Sequence, residues 1–276
     1  MPGLKQDNKK DDTHQPGIIN ALICNAIKTG GRNEVYLYIC HSCSEMKTIS
    51  KTDKEFVCDI TLPCFSELTA EETELVRDSR VQILFRRGEN ITKQGAFASY
   101  VLFMVNGYSR QYIECTNGRD YNLRIISPGE MVGLSAVFNK NTFNYSVVAV
   151  TEATGFLIEK EAIASLVKQN GSFGFSIIRR YCEHNAGLYT AIDHLLHQQT
   201  NGRMATVLLR LAPENFGGED IMKHLSRREL ADFAGISTEG AVKVLKSFEK
   251  EGIVRLAEKS IIIIDHRRLS EISRTG

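Results

Sequence analysis

This chain of 276 residues lacks most of what would assign a protein by composition alone. Thirty-four Lys and Arg against 33 Asp and Glu leave a formal charge of +1, which favours neither an acidic nor a neutral partner. No apolar run reaches the roughly 18 residues of a transmembrane helix, so no span and no membrane partner are expected. The N-terminal stretch MPGLKQDNKKDDTHQPG has no apolar core of the kind a secretory signal needs, and a cytoplasmic location is expected. There is no internal repeat and no low-complexity tract. No Gly-rich nucleotide loop, Ser/His/Asp nucleophile setting or paired-carboxylate motif occurs, so an enzyme is not expected. Seven Cys, an odd number in a chain of this size, argue against a secreted disulfide framework.

What is present begins at the C-terminal end. Leu225 to Ile264 reads LSRRELADFAGISTEGAVKVLKSFEKEGIVRLAEKSIIII. Ser226 with Glu229 is a capping box, in which each residue satisfies an orphan backbone N–H. Leu230 and Ala234 follow on one helical face. Gly235 supplies the turn, Ile236 a plug between two helices, and Ser237 an N-cap for the second. In that second helix Ala241, Val244, Leu245 and Phe248 recur at helical spacing and are expected to pack inward. Thr238, Glu239, Val242, Lys243 and Lys246 fall on the other face. Glu accepts from cytosine N4, Lys donates to guanine or phosphate, and Val or Thr touches a thymine methyl. Gly252 ends the helix. Ile253–Leu256 and Ser260–Ile264 read as two strands around Ala257-Glu258-Lys259, a wing that places Lys259 against a phosphate. The pattern is a winged helix-turn-helix, and double-stranded DNA is the expected partner. The alternative is a helical pair with a solvated charged face. From residue 203 onward there are 13 Lys and Arg against 11 Asp and Glu. Affinity for phosphate would therefore come from local clustering of Arg227, Arg228, Lys243, Lys246 and Lys259.

Upstream, residues 81–158 carry short β-branched and aromatic runs: Val81–Phe85, Tyr100–Val105, Tyr108–Cys115, Tyr121–Ile126, Tyr145–Val150 and Gly155–Ile158. Between them lie the turn dipeptides Arg87-Gly88, Gln94-Gly95, Asn106-Gly107, Asn117-Gly118 and Pro128-Gly129. Even spacing of this kind predicts a β-sandwich, barrel or roll. Ahead of it, Ile18–Lys28 reads as a short helix, Glu34–Cys40 as a strand and Lys47–Lys54 as a polar loop. After Asn170-Gly171, the positions Ile177, Tyr181, His184, Leu188, Ala191, Leu195 and Gln198 recur in steps of four and three. That is the spacing of a coiled-coil seam, predicting a homodimer; the alternative is a helix packed on its own domain. Asn201-Gly202 reads as a break and hinge before Arg203–Ala212. The predicted class is α+β: an N-terminal Cys-containing extension (1–60), a cupin-like jelly-roll β-roll (61–170), a long dimerisation helix (171–202) and a C-terminal winged helix-turn-helix (203–276).

The order of these parts, with PGEMVGLSAVF at Pro128–Phe138, NGRMATVLLRLA at Asn201–Ala212 and the helix-turn-helix, resembles the Crp/Fnr family of bacterial transcription regulators. The resemblance covers the chain from about Cys64 onward. It implies a homodimer in which an effector or redox signal in the β-roll shifts the two recognition helices. RNA polymerase is a further partner it allows. It also implies DNA contacts at Arg227, Ser237, Thr238, Glu239, Val242, Lys243, Lys246 and Lys259. The family's recognition helix carries a Glu and, four residues on, an Arg. Here these positions are Glu239 and Lys243, and Lys lacks the planar fork that suits guanine. The implied effector pocket comprises Gly133, Leu134, Ser135, Tyr145 and Ser146. In cyclic-AMP-binding members a Glu follows the Gly of the phosphate cassette, and an Arg-Ser pair further on holds the cyclic phosphate. Here Leu134 and Tyr145 stand at the Glu and Arg positions, so cyclic AMP is not the expected ligand.

Cys40, Cys43, Cys58 and Cys64 give C-x2-C-x14-C-x5-C, with Cys24 upstream. Such a set suits zinc or an iron–sulfur cluster, a thiol–disulfide switch, or buried structural cysteines. Fnr-type sensors place their cysteines differently, with a shorter spacing and a fourth Cys in the β-roll where this chain has Phe156. Three function classes follow from the residues: a DNA-binding regulator, an effector module whose helix-turn-helix holds a protein partner, and a Cys-based metal or redox protein.

Overall fold

The computed structural model describes residues 47–49 and 65–276, apart from 117, 139 and 140. The expected helix at Ile18–Lys28, the expected strand at Glu34–Cys40 and the cysteines Cys40, Cys43, Cys58 and Cys64 lie outside the described residues.

The six predicted strands, with three short ones that the sequence does not predict, form two antiparallel sheets. The first has the order β1 (Lys47–Thr48), β2 (Arg80–Phe85), β9 (Ala153–Glu159), β4 (Tyr100–Asn106), β7 (Met131–Val132). The second runs β3 (Asn90–Thr92), β8 (Ser146–Ala149), β5 (Ser109–Glu114), β6 (Asp120–Ile126). Lys47–Thr48, read as loop from its polarity, instead pairs with Leu84 and Ile83 at the edge of the first sheet. The ladder hydrogen bonds there do not depend on side-chain polarity, which is why composition missed it. All five turn glycines named above, at 88, 95, 107, 118 and 129, take positive φ. Gly107 also needs its missing side chain: a Cβ there would lie 2.2 Å from the Glu152 carbonyl oxygen.

Side chains alternate along β4. Leu102 and Met104 point between the sheets, where they meet Ile83, Phe85, Ile126, Val147 and Ala149. Val101 and Phe103 point the other way. With Phe156 and Ile158 they pack under α1 (Ala70–Asp78), α3 (Lys160–Gln169) and the first turns of α4 (Gly171–His197), through Val76, Ile163, Leu166, Phe173 and Ile177. Complete burial of each such side chain contributes roughly 1.5–3 kcal/mol. A five-residue helix, α2 (Leu134–Phe138), follows β7. The helix α4 is long, about 40 Å at 1.5 Å per residue.

The break after α4 is at Gln198–Gln199, not at Asn201-Gly202. Those two residues lie inside α5 (Thr200–Arg210), and Gly202 is buried where the end of α8 (His266–Thr275) approaches. A Cβ on Gly202 would sit 2.3 Å from the Gly276 carbonyl oxygen, so the glycine answers to packing and not to a hinge.

The remaining C-terminal elements are α6 (Arg227–Ala234), α7 (Thr238–Lys250), and the two-stranded β10 (Val254–Leu256) and β11 (Ile261–Ile263). Their core of Leu230, Ala241, Leu245, Phe248 and Ile253 is continuous with Ile125 and Val150 of the β-roll. Polar bonds support that docking. Asn122 Nδ2 donates to the Glu229 carbonyl at 2.8 Å, and Arg87 Nη2 donates to the His224 carbonyl at 2.7 Å. The Tyr108 ring meets Phe216 edge-on, with its hydroxyl donating to the Phe216 carbonyl at 3.1 Å.

Of the expected seam Ile177, Tyr181, His184, Leu188, Ala191, Leu195 and Gln198, the two ends and Ala191 are taken up by the protomer's own packing, while Tyr181 (47%) and Leu188 (36%) stay exposed. Ile177 is 1% and Ala191 5% exposed. His184 Nε2 lies 3.4 Å from Glu130 Oε2, and Gln198 donates to the Ser273 carbonyl and accepts from Thr206. A more fully exposed apolar row lies one step round the helix: Phe175 (69% exposed), Ile178, Cys182, Tyr189, Ile192 and Leu196 (73%), with Asn185 in the same register. Both rows obey the steps of three and four, so spacing alone could not choose between them.

Candidate nucleic-acid interface and sensor cavity

Each local signal in the helix-turn-helix is realised. Ser226 N donates to Glu229 Oε2 at 2.7 Å and Glu229 N to Ser226 Oγ at 3.2 Å, closing the capping box. Gly235 ends α6 at φ +61°. Ser237 Oγ accepts the Gly240 N–H at 3.0 Å and starts α7. Ala241, Val244, Leu245 and Phe248 are buried, and Ile236 packs against the same cluster.

The opposite side of α7 is open. Glu239, Lys243 and Lys246 are exposed, with Thr238 and Val242 half-buried beside them. Ser237 serves as the cap and is half-buried. Lys259 is exposed between β10 and β11. Arg227 is half-buried at the start of α6. Burial pushes its guanidinium down, and Glu249 opposes this. A convex helix with carboxylate, ammonium and methyl groups on one side has the shape and donor–acceptor set for base edges in a major groove, and the lysines have the charge for phosphates.

A cavity of about 360 Å³ lies where β5 and β6, the α2 segment, α4 and α5 converge. Of the residues expected to form an effector pocket, Leu134, Ser135 and Tyr145 line it. Gly133 and Ser146 do not. The Gly133 N–H is taken by the Tyr145 hydroxyl at 3.0 Å. Ser146 Oγ accepts the Gln94 N–H at 2.8 Å and donates to Glu114. Both residues at the family's Arg-Ser positions are thus engaged within the protein. Burial pushes the Tyr145 phenol up, against the Gly133 N–H, so the ring presents a neutral hydroxyl.

Sequence reasoning missed the cavity's polar residues. Arg124 donates to Gln111 Oε1 at 2.9 Å and pairs with Glu130. Glu130 also accepts the Ser127 N–H at 2.9 Å and faces His184. Burial would raise the Glu130 carboxyl, but His184, Arg124 and the Ser127 N–H outweigh it and bring it to about 2. Arg210 enters from α5 and donates to the Leu123 carbonyl at 3.0 Å. Gln111, the Arg124–Glu130 stretch, His184 and Arg210 come from four separate parts of the chain, so no local spacing marks them as one site. Among the described residues, no group of three or more His, Cys, Asp and Glu could hold a metal ion, and no helix is long and apolar enough to cross a membrane.

Known proteins share this arrangement. Residues 82–170 match the cyclic nucleotide-binding domain family and residues 202–272 the Crp-like helix-turn-helix domain family, together more than half of the chain. The chain is 25% identical over 195 residues to the CRP-like cAMP-activated global transcriptional regulator of Mycobacterium tuberculosis, covering 69% of this chain and 87% of that protein. It is 24% identical over 211 residues to the Cyclic AMP receptor protein of Thermus thermophilus, covering 76% and 96%. Its fold is similar to that of a Crp/Fnr-family transcriptional regulator from Eubacterium rectale, with a TM-score of 0.65, 20% identity, and 78% and 99% of the two chains covered. A β-roll with its cavity, a long helix and a winged helix-turn-helix with an open α7 therefore place this chain in the Crp/Fnr family of DNA-binding transcription regulators.

Proposed function

We propose that the regulator acts as a homodimer, that each copy reads one half-site with α7, and that its signal is a small molecule other than cyclic AMP held in the sensor cavity. The open row of Glu239, Lys243 and Lys246 carries the DNA-reading part. The bare apolar row on α4 supports pairing, because an exposed stripe of Phe175, Ile178, Tyr189, Ile192 and Leu196 is costly in water. The engagement of Tyr145 with Gly133 and of Ser146 with Glu114 supports the choice of ligand. A cyclic phosphate would find no free guanidinium at position 145, and Leu134 offers no carboxylate to a ribose.

The test is selection of binding sites from random duplex, followed by titrations at several salt concentrations. The selected sites are expected to be two-fold symmetric. Glu239→Ala should relax base preference within each half-site. Lys259→Ala should weaken binding on every sequence and lower the salt slope by about 1. Equal loss on selected and random duplex for Glu239→Ala would refute its assigned role. Absence of any sequence-selective binding would favour a helix-turn-helix that holds a protein partner.

A further inference from the structure

The wing that carries Lys259 is held by two carboxylates. Val254 and Ile261 are buried, and Leu256 and Ile263 pack beside them, which seats β10 and β11 on the core. The tip has no such anchor, since Glu258 and Lys259 are exposed. A two-stranded hairpin is at best marginally stable by itself, so other bonds have to set the direction of the tip. Ala257 N donates to the Ser260 carbonyl and Ile264 N to the Ile253 carbonyl, so in this register the Leu256 N–H points away from β11. It donates to Glu249 Oε1 at 2.9 Å, in the last turn of α7. At the other strand, Ser260 Oγ donates to Asp220 Oδ2. Asp220 is itself fixed, because its Oδ1 accepts the Lys223 N–H at 3.3 Å and caps the turn Ile221–His224.

A carboxylate at position 249 is unfavourable on general grounds. The side chain is exposed on a module whose lysines are set out for phosphates, where negative charge opposes binding. In the last turn of a helix it also meets the wrong end of the macrodipole. From its bond to Leu256, and from the matching tether at Asp220, we infer that Glu249 is a positioning residue for DNA binding. It ties β10 to the end of the recognition helix and, with Asp220 on the other strand, holds Lys259 in one position relative to α7 for contact with a phosphate beside the groove. The inference rests on the reading of α7 and Lys259 as DNA contacts. A tip held from both strands is ordered before DNA arrives, so less conformational freedom is lost on binding. The same carboxylate supports a second cation expected to meet phosphate: burial pushes the Arg227 guanidinium down, and Glu249 opposes this.

The experiment is titration of the full-length protein with its selected duplex and with random duplex, by fluorescence anisotropy at several salt concentrations. Lys259→Ala should lower the salt slope by about 1 and weaken binding about fivefold to tenfold near 0.1 M salt. Glu249→Ala should reproduce both effects on either duplex, with base preference retained, and should cost nothing further in the Lys259→Ala background. Glu249→Gln keeps an acceptor for the Leu256 N–H and removes the charge. It should bind at least as tightly as the parent, with the slope unchanged. Ser260→Ala cuts the other tether without touching α7 and should also lower the slope; it decides the matter if Glu249→Ala disturbs the helix and loses base preference. A surface charge without a positioning role would make the Ala and Gln variants alike, both binding more tightly, and that result overturns the inference. Additivity of Glu249→Ala with Lys259→Ala overturns it as well. If Lys259→Ala leaves the slope unchanged, the wing contact itself fails and the inference with it. If Lys259→Ala lowers the slope while neither Glu249→Ala nor Ser260→Ala does, the wing contact stands and the positioning role alone fails.

Discussion

The Tyr145 hydroxyl accepts the Gly133 backbone N–H at 3.0 Å, so the residue at the position where the family resemblance implied an arginine is engaged within the protein. Gly133 has φ +90°, and its N–H is directed at the phenol and not along a strand. Removing the hydroxyl leaves that donor without a partner in a buried place. Tyr145→Phe is therefore expected to destabilise the protein by about 1 kcal/mol. Urea denaturation checks this, with the midpoint falling and the slope unchanged. No loss would mean that water replaces the phenol at Gly133.

The Glu130 cluster predicts a pH signature. Its carboxyl stands at about 2 in the folded protein against an ordinary value of 4.5, so the folded form holds the proton less tightly than the unfolded chain does. The stability this contributes is complete above about pH 4.5 and is lost as pH falls toward about 2. On the order of 3 kcal/mol is at stake. Glu130→Gln removes the titration. The stability gap between parent and variant, from urea titrations at several pH values, should be constant from pH 7 to 5 and close between pH 4.5 and 2. A gap that does not change with pH would mean that Glu130 contributes by packing alone.

Signals lying within one turn or one helix were readable in advance. The capping box of Ser226 and Glu229, the Gly235 turn and the buried row Ala241, Val244, Leu245 and Phe248 depend on neighbours in sequence, and all are present. The same logic would have found α1, since Thr69 and Glu72 form another capping box, and α8, which Asp265 caps ahead of Leu269 and Ile272. The two-residue strands β1 and β7 have too little pattern to register. The choice of face on α4 needed the β-roll, because Ile177 and Ile178 are equally apolar and only packing separates them. The cavity was least legible. Arg124 and Arg210 meet across 86 residues, and nothing local to either marks it as a pocket residue.

Gly235 joins the reading head to the rest of the molecule. It ends α6 at φ +61°, and a Cβ there would lie 2.7 Å from Leu195 Cδ2 on α4 and 3.4 Å from the Tyr121 ring on β6. Gly235→Ala meets both costs, the left-handed backbone and the displaced leucine. About 1–2 kcal/mol of destabilisation is expected. Leu195→Ala removes the clash but not the backbone cost. A double-mutant cycle in urea should therefore show Gly235→Ala costing less in the Leu195→Ala background. Strict additivity would place the whole effect in the backbone.

The exposed row on α4 predicts the dimer and its register. Phe175, Ile178, Cys182, Asn185, Tyr189, Ile192 and Leu196 step by three and four, so in a parallel pair each faces its own counterpart. Ile192→Asp would bring two carboxylates together in that seam, where neither desolvation nor like charge is compensated. Sedimentation should show the parent as a dimer and Ile192→Asp with its dimer dissociation constant raised at least 100-fold. Thr190→Asp, exposed and off the row, should leave the dimer intact. On a symmetric DNA site the Ile192→Asp protein should bind each half independently, losing the cooperativity of the parent. Cys182 gives the register directly: mild oxidation should yield a disulfide-linked dimer that is absent from Cys182→Ser. If Ile192→Asp stays dimeric and Cys182 does not crosslink, then α4 is not the pairing surface and its apolar row serves another contact.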